Sequence, residues 1–552
     1  MDEAAPAKAA ARFRNACGHA REEQERLLER LLRSNAHTEF GEKYGFAGIR
    51  NGAEYSRTVP LSTFQDYDKL FSRIINGERN ILTAEPPVFY NISSGSTGKP
   101  KYIPLCREDI EKQRLYVDEA LAGIIREALP QYSAEELFGR IFHMSEFYLT
   151  EMPDGTMNGV RSGVSFRAAQ REGSIDLSRF TAPEAVLFPE RLEDMLYAKI
   201  RFALGNRGVT AIHGIFVNRA VGMFEHILRH WDELISDIRH GTVGDGFRIS
   251  GEWQAYLRKT LPPDPQRADE LAGLDRETLK DGMLPKIWPK LRYIRLITSP
   301  MIQPFHDRMA EFAGGVPLHC YIYSSSESNM GLAPGLGAEG EYALLPDVCY
   351  FEFIPEEQIP EPSDFLTIRD VEKGKRYEIV LTTLSGLYRY RIGDVVEVAG
   401  FFGESPVIRF CYRKDLVISL LDEKVNALQL ENAVRRFTKN TGVRVDNYCV
   451  AGNCDGALPK YILYFETDGE IPEGASEEMD RCLRACSLGY RSVREMNELD
   501  SAEARRVPAG TFREYQQHCI QSGMRMEQSK PVRVLTGTDQ IRFFEAARGG
   551  QR

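Results

Sequence analysis

The chain has 552 residues, 42% of them apolar and 27% charged, which argues against disordered, collagen-like and disulfide-scaffold classes and leaves room for two to four folding units. Seventy Lys and Arg against 80 Asp and Glu give a net charge of −10, which argues against a general nucleic-acid or anionic-membrane binder. The first residues have no basic start followed by an apolar core, and no run approaches the ~18 apolar residues of a membrane span. Ten scattered Cys without paired CxxC knuckles read as reduced thiols, so a soluble, cytoplasmic protein is expected.

Residues 1 to about 80 read as helical: Glu22 to Leu32 repeats Leu at helical spacing, and Phe64, Tyr67, Leu70 and Phe71 form a second stripe. Asn91 to Pro104 is turn-rich. Arg107 to Leu129 returns to helix, with Leu121, Ile124, Ile125 and Leu129 on one face. Helices over Arg191–Leu204 and Ala220–Ile238 alternate with buried strands over Val209–Val217 and Leu291–Thr298, which indicates an α/β body. Tyr377 to Val398 predicts three short antiparallel strands, broken at Ser385-Gly386 and Gly393-Asp394. Beyond Arg413-Lys414-Asp415 come an apolar strand, a helix over Val425–Phe437, strands around Tyr448 and over Tyr461–Glu466, and a helix over Glu477–Arg494. These predict a small α+β unit with its boundary near Asp415.

Three segments carry chemistry. Ser93-Ser94-Gly95-Ser96-Thr97-Gly98-Lys99-Pro100-Lys101 gathers hydroxyls, glycines and lysines as a polyphosphate requires, without the spacing of a Walker loop; a flexible surface turn is the plain alternative. Tyr323-Ser324-Ser325-Ser326-Glu327 follows an apolar strand and offers a ring to a base and a carboxylate to Mg²⁺, or is a serine-rich loop with one solvated Glu. Tyr388 to Asp394 ends in a Gly-Asp pair whose carboxylate can accept both ribose hydroxyls, or which makes a tight turn. His226 and His230 lack the Glu of HExxH and read as a helix-surface pair; His143 and His213 read as satisfied core histidines, and Cys320 as a structural thiol.

In this order the three segments resemble the adenylate-forming enzymes, and within them the Gretchen Hagen family of acyl acid amido synthetases. The similarity continues through Trp231-x-x-Leu-x-x-Asp-Ile238, Ile287-Trp288-Pro289, Tyr350 to Pro355, Thr382 to Asp394, Arg413-Lys-Asp415, Gly510-Thr-Phe512, Gln528-Ser-Lys-Pro531 and Arg533. It implies a large α/β body over 1–412, of β-sheets flanked by helices with a small barrel-like β portion. A hinge at 413–415 and a small mobile α+β cap over 416–552 complete the implied fold. It further implies that a carboxylic acid and ATP give an acyl adenylate and pyrophosphate, after which an amine forms an amide and releases AMP.

Carried over by motif, the loop residues Ser93, Ser94, Gly95, Ser96, Thr97, Gly98, Lys99 and Lys101 hold the β- and γ-phosphates. Tyr323 lies by the adenine, Ser325, Ser326 and Arg413 join the nucleotide site, Glu327 serves Mg²⁺ and Asp394 holds the ribose. Lys101, Glu327 and Lys530 are the catalytic candidates, Lys530 being favoured over Lys424 as the lysine that reaches the reacting phosphate. Two departures stand out: the first motif has the shorter spacing of acyl-CoA ligases, and Thr298-Ser299-Pro300-Met301 replaces Thr-Gly-Ser. Alternatives are an acyl-CoA ligase, which shares the adenylation step, and a non-catalytic protein that binds nucleotide or acyl adenylate. The expected partners are a small carboxylic acid and an amino acid or other amine, with no nucleic acid and no membrane; oligomeric state is left open. The acid pocket is expected between residues 107–129 and 142–166, with Phe142, Phe147, Tyr148 and Phe166 shaping it or packing the core.

Overall fold

The computed structural model describes residues 4–93, 101–145, 147–163, 166–167, 173, 176–189, 195–244, 250–297, 303–338, 340–356, 365–414, 417–418, 420–421, 423, 425–453, 458–467, 469–496, 498–521, 531–535 and 537–548. The chain divides into two units, one of residues 1–298, 305–392 and 397–409, the other of 299–304, 393–396 and 410–552.

In the first unit, the helix Ala20–Ser34 buries Leu27, Leu28, Leu31 and Leu32 with Tyr350, Leu384 and Tyr388, as its Leu spacing requires. The helix Phe64–Ile75 starts where Asp66 accepts from the Thr63 backbone N–H and hydroxyl, and it buries Tyr67, Phe71 and Ile74. The stretch read as turn-rich is an antiparallel hairpin, Phe89–Ser93 against Lys101–Leu105, with Ser93 opposite Lys101. Buried Phe89, Ile92, Ile103 and Leu105 make it a strand pair despite the polar residues between. The predicted helix over 107–129 forms in three continuous pieces, Arg107–Gln113, a π-helical stretch Arg114–Ala120, and Leu121–Ala128.

A parallel sheet runs in the order Arg140–His143, Val209–Phe216, Tyr293–Ile297, Leu318–Cys320. On one face Phe142 packs on Trp288, their ring centroids 5.7 Å apart, so Phe142 belongs to the core and not to the expected pocket. A seven-stranded sheet follows, ordered Cys349–Pro355, Arg376–Thr383, Tyr390–Phe402, Ser405–Arg413, Glu341–Leu344, Asn329–Leu332, Ile322–Ser324. Two strands replace the three expected over 377–398. The Ser385-Gly386 turn is real, and a side chain at Gly386 (φ 91°) would meet Leu82 Cβ at 2.8 Å. At Gly393, however, a φ of 81° lets the strand Tyr390–Phe402 pass through the Gly-Asp pair.

The helix expected over Ala220–Ile238 is two helices, Val217–Arg229 and Trp231–His240, because His230 leaves helical geometry at φ −105°, ψ 24°. In the second unit the helix expected over Glu477–Arg494 is likewise split, since Ser487 is extended and its hydroxyl caps the Tyr490 N–H at 3.2 Å. The second unit's sheet runs Glu503–Val507, Lys460–Glu466, Asn447–Asn453, Val534–Leu535. Alternate residues serve opposite faces. Tyr448, Val450, Leu463 and Phe465 pack with Phe437, Met479 and Leu483, while Ala451, Ile462 and Tyr464 pack with Phe512 and Phe544.

Candidate active site

The phosphate-loop candidates Ser94, Gly95, Ser96, Thr97, Gly98 and Lys99 lie outside the described residues, as do Lys530, Lys424 and Asp415. The hairpin strands on either side of residues 94–100 are described. Ser93 ends its first strand, and Lys101 opens the second with Nζ 4.1 Å from the Phe64 ring centroid.

The serines after Tyr323 shape the turn that presents Glu327. Ser325 Oγ accepts from the N–H groups of Glu327 (3.2 Å) and Ser328 (3.4 Å), the Ser325 N–H donates to the Ser328 carbonyl at 2.9 Å, and Ser324 Oγ donates to Asn329 Oδ1 at 2.6 Å. Tyr323 is buried, its ring centroid 6.2 Å from that of Tyr342. Gly331 lies opposite Tyr323, and a Cβ there would stand 3.0 Å from that of Tyr342.

Two side chains that the sequence reading passed over hold this turn by its carbonyls. Asn91, on the first hairpin strand, donates to the Ser326 oxygen at 2.7 Å. Buried Arg161 donates from Nη2 to the oxygens of Ser326 (3.4 Å) and Glu327 (3.0 Å), while its Nη1 pairs with Asp109 at 3.4 Å. Gln113 extends the frame, donating to the Arg161 carbonyl at 3.3 Å and accepting from Asn329 at 3.4 Å. The hairpin strand that leads into the serine-glycine-lysine segment and the Glu327 turn are thus one hydrogen-bonded assembly. No sequence signal marks Arg161, since the groups it holds are backbone carbonyls.

Glu327 Oε1 accepts from the Tyr390 hydroxyl at 3.2 Å, a second contact not foreseen. Tyr390 is aimed by its neighbour. Arg389 occupies the left-handed region at φ 48° and is fully buried, its Nε 3.0 Å from Glu352 Oε2 and its Nη1 donating to the Val59 carbonyl at 2.7 Å. Such backbone persists only where the surroundings over-determine it, and here a buried ion pair does so. The nearby thiols are structural: burial pushes Cys349, 3.0 Å from Ser328 Oγ, up to about 12, and Cys106 likewise.

Phe147 and Phe166, expected around the acid, do cluster, with centroids 4.8 Å apart; His143, Phe180 and Phe188 join them, while Tyr148 is half-buried beside this group in sequence. His213 donates to or accepts from the Tyr293 hydroxyl at 3.0 Å. In the second unit, buried Asp394 accepts from Arg413 Nε at 2.6 Å, and the Lys414 N–H donates to the Gly393 carbonyl at 2.7 Å, so two residues of the expected ribose site are joined.

An α/β body of this construction, with a serine-glycine-lysine loop on a hairpin and a tethered Tyr-Ser-Ser-Ser-Glu turn, is that of an adenylate-forming enzyme. The chain belongs to the GH3 family: residues 9–318, 342–413 and 428–538 match its N-terminal, central and C-terminal domains. It is 27% identical over 547 residues to an indole-3-acetic acid-amido synthetase of Arabidopsis thaliana (95% of this chain, 91% of the relative). It is 29% identical over 535 residues to a jasmonoyl–L-amino acid synthetase of Nicotiana attenuata (94% and 91%). Its fold matches that of the GH3.15 acyl acid amido synthetase with a TM-score of 0.84 at 23% identity, over 98% of this chain and 96% of the other. The chain is an AMP-forming ligase of the carbon–nitrogen type, an acyl acid amido synthetase.

Proposed function

We propose that the chain adenylates a small carboxylic acid with ATP and passes the acyl group to the amino nitrogen of an amino acid, or of another amine. What supports this most is the double tether of residues 326–327 by Asn91 and Arg161, which fixes the Glu327 backbone against the strand that carries the phosphate loop. A carboxylate fixed in advance at a polyphosphate does not have to reorganise as charge develops.

The chain's groups divide the work. Lys101, with the loop from Ser93 to Lys99, takes the β- and γ-phosphates and steadies the charge that grows on pyrophosphate as it leaves. Tyr323 meets the adenine, Ser325 and Ser326 keep the turn closed against the nucleotide, and Asp394 with Arg413 takes the ribose. Lys530 is assigned to the reacting phosphate. An oxygen-only donor fits Mg²⁺, and Glu327 offers one: among the described residues only Tyr390 donates to its carboxylate. When bound there, Mg²⁺ would neutralise phosphate charge. The residues 416–552, turning about 413–415, would then exclude water from the adenylate before the amine arrives. Among the described residues nine cysteines are free and no helix is long and apolar enough to cross a membrane, which suits work in a reducing cytoplasm.

The test combines the protein with ATP, Mg²⁺ and a panel of acids, then measures pyrophosphate and, by mass, the acylated product with an amino-acid mixture or CoA. Acid-dependent pyrophosphate and an amide are expected. A thioester in place of any amide, or no ATP turnover across the panel, overturns the reading. Chelation of Mg²⁺ is expected to abolish pyrophosphate release.

A further inference from the structure

The register of the parallel sheet places four basic side chains in line. His143 lies opposite His213, His213 opposite Arg295, and Arg295 opposite His319, one from each strand. Directly opposed residues share a face, and this is the face turned away from Phe142, Ile212 and Ile294. The row crosses the middle of the strands and reaches a carboxyl end at His143.

Its centre is under-satisfied. Among the described residues Arg295 makes no ion pair; its one hydrogen bond runs from Nη1 to the Val117 carbonyl at 3.2 Å, its guanidinium carbon lies 4.7 Å from the Tyr321 ring centroid, and its Nε is buried without a partner. His319 is 1% exposed, and its Nε2 is also buried without a partner. Arg295 is half-buried and its guanidinium has a single carbonyl acceptor in the chain, so its other N–H groups are available to an anion.

The opposite wall is the π-helical stretch. Asp118 keeps open surface, yet burial pushes its carboxyl up to about 6 against the opposing pull of Arg295. Across from it His213 and His319 are neutral near pH 7, since burial brings His319 down to about 4 and holds His213 well below its usual value. Among His213, Arg295 and His319, Arg295 is therefore the one fixed positive charge.

We infer that this row is the far wall of the acid site and selects a dicarboxylic acid, one carboxylate presented for adenylation and the other held by the Arg295 fork. A guanidinium matches a carboxylate by two parallel N–H···O bonds, which neutral imidazoles and phenols cannot supply. His319 and Tyr323 are four residues apart, at most ~13 Å of extended chain, so the span fits a short aliphatic or aromatic diacid. This inference rests on the amido synthetase reading and adds the substrate class to it.

The test uses the full-length protein with ATP, Mg²⁺ and hydroxylamine as the trap, and matched acids: isophthalate with benzoate, and adipate with hexanoate. The wild type is expected to use the diacid of each pair at least about 10-fold better by kcat/KM. In Arg295→Met the diacid-to-monoacid ratio should fall about 100-fold, with part regained in Arg295→Lys. Asp118→Asn, which removes the opposing carboxylate, should raise the ratio. Preference of the wild type for the monoacid in both pairs, or a ratio unmoved in a folded Arg295→Met protein, overturns the inference. So does an Arg295→Met effect confined to the KM of the amino acid in the complete reaction, which would assign the guanidinium to the acceptor's carboxylate. If neither member of any pair releases pyrophosphate, the failure lies with the amido synthetase reading itself.

Discussion

The sheet of the second unit is apolar on both faces, with Phe437 and Phe465 stacked at 5.0 Å on one side and Tyr464 and Phe544 in contact at 5.6 Å on the other. The parallel sheet of the first unit is apolar on one face only; the other carries His143, His213, Arg295 and His319. Both are four-stranded and both are covered by helices, so packing geometry does not separate them. What separates them is that one face of the parallel sheet is lined by imidazoles and a guanidinium, where His319 Nε2 and Arg295 Nε are buried without a partner. A sheet whose two faces are filled by hydrocarbon completes its packing on folding, whereas a basic face leaves donors that an anionic ligand can use.

The comparison can be broken from either side. The largest expected effect falls on the apolar sheet: Phe465→Ala should lower stability by about 3 to 5 kcal/mol in chemical denaturation, leaving a cavity under Phe437. A loss below about 1 kcal/mol would mean that this core repacks freely. Next is Glu327→Gln, expected to slow pyrophosphate release about 10²- to 10³-fold while thermal melting is unchanged, because the turn is held by its carbonyls. Full retention of activity would remove Glu327 from the site.

A pH experiment comes third. His319 has a folded value near 4, below its unfolded value near 6.5, so the folded state resists its protonation; its stability is intact above pH 6.5 and declines as pH falls toward 4. Between pH 7 and 4 the wild type should lose about 3 kcal/mol more than His319→Gln. Asp118 acts in the opposite sense, since its raised carboxyl takes a proton as pH falls through 6, and it is common to both proteins. Equal acid sensitivity of the two proteins would show that His319 is not confined in the fold. The smallest effect is that of Arg161→Lys, expected to lower kcat about 10-fold with little change in the KM for ATP, since a lysine cannot hold two carbonyls in one plane. A change in KM alone would contradict a positioning role.

Elements with one strong period were legible in the sequence. The Leu repeat from Leu27 to Leu32 formed where expected because it buries one helix face, and the strands around Tyr448 and Tyr461 because each is a short apolar run buried on both faces. Breaks were not legible where hydrophobic spacing continues across them: Trp231 and Leu234 prolong the pattern past His230, and nothing in that pattern records a change of backbone direction. Gly393-Asp394 misled in the other direction, because glycine permits a turn without requiring one. In the site, Tyr323 and Glu327 were visible as residue types, while Arg161 and Asn91 were not, since their partners are carbonyls present at every position. The basic row was hidden for a different reason. His143 and His213 were read singly as core histidines, and only strand register aligns them with Arg295.

The π-helical stretch over Arg114–Ala120 has an evolutionary reading. A wide turn of this kind amounts to one extra residue carried inside an α-helix, between Arg107–Gln113 and Leu121–Ala128, which themselves are regular. Deleting a single residue there would restore an ordinary helix without disturbing its ends, yet it would rotate Asp118 and Val117 away from Arg295. On the role proposed for Arg295, substrate choice would change with an insertion or deletion of length one, a step that leaves the turn around Glu327 untouched.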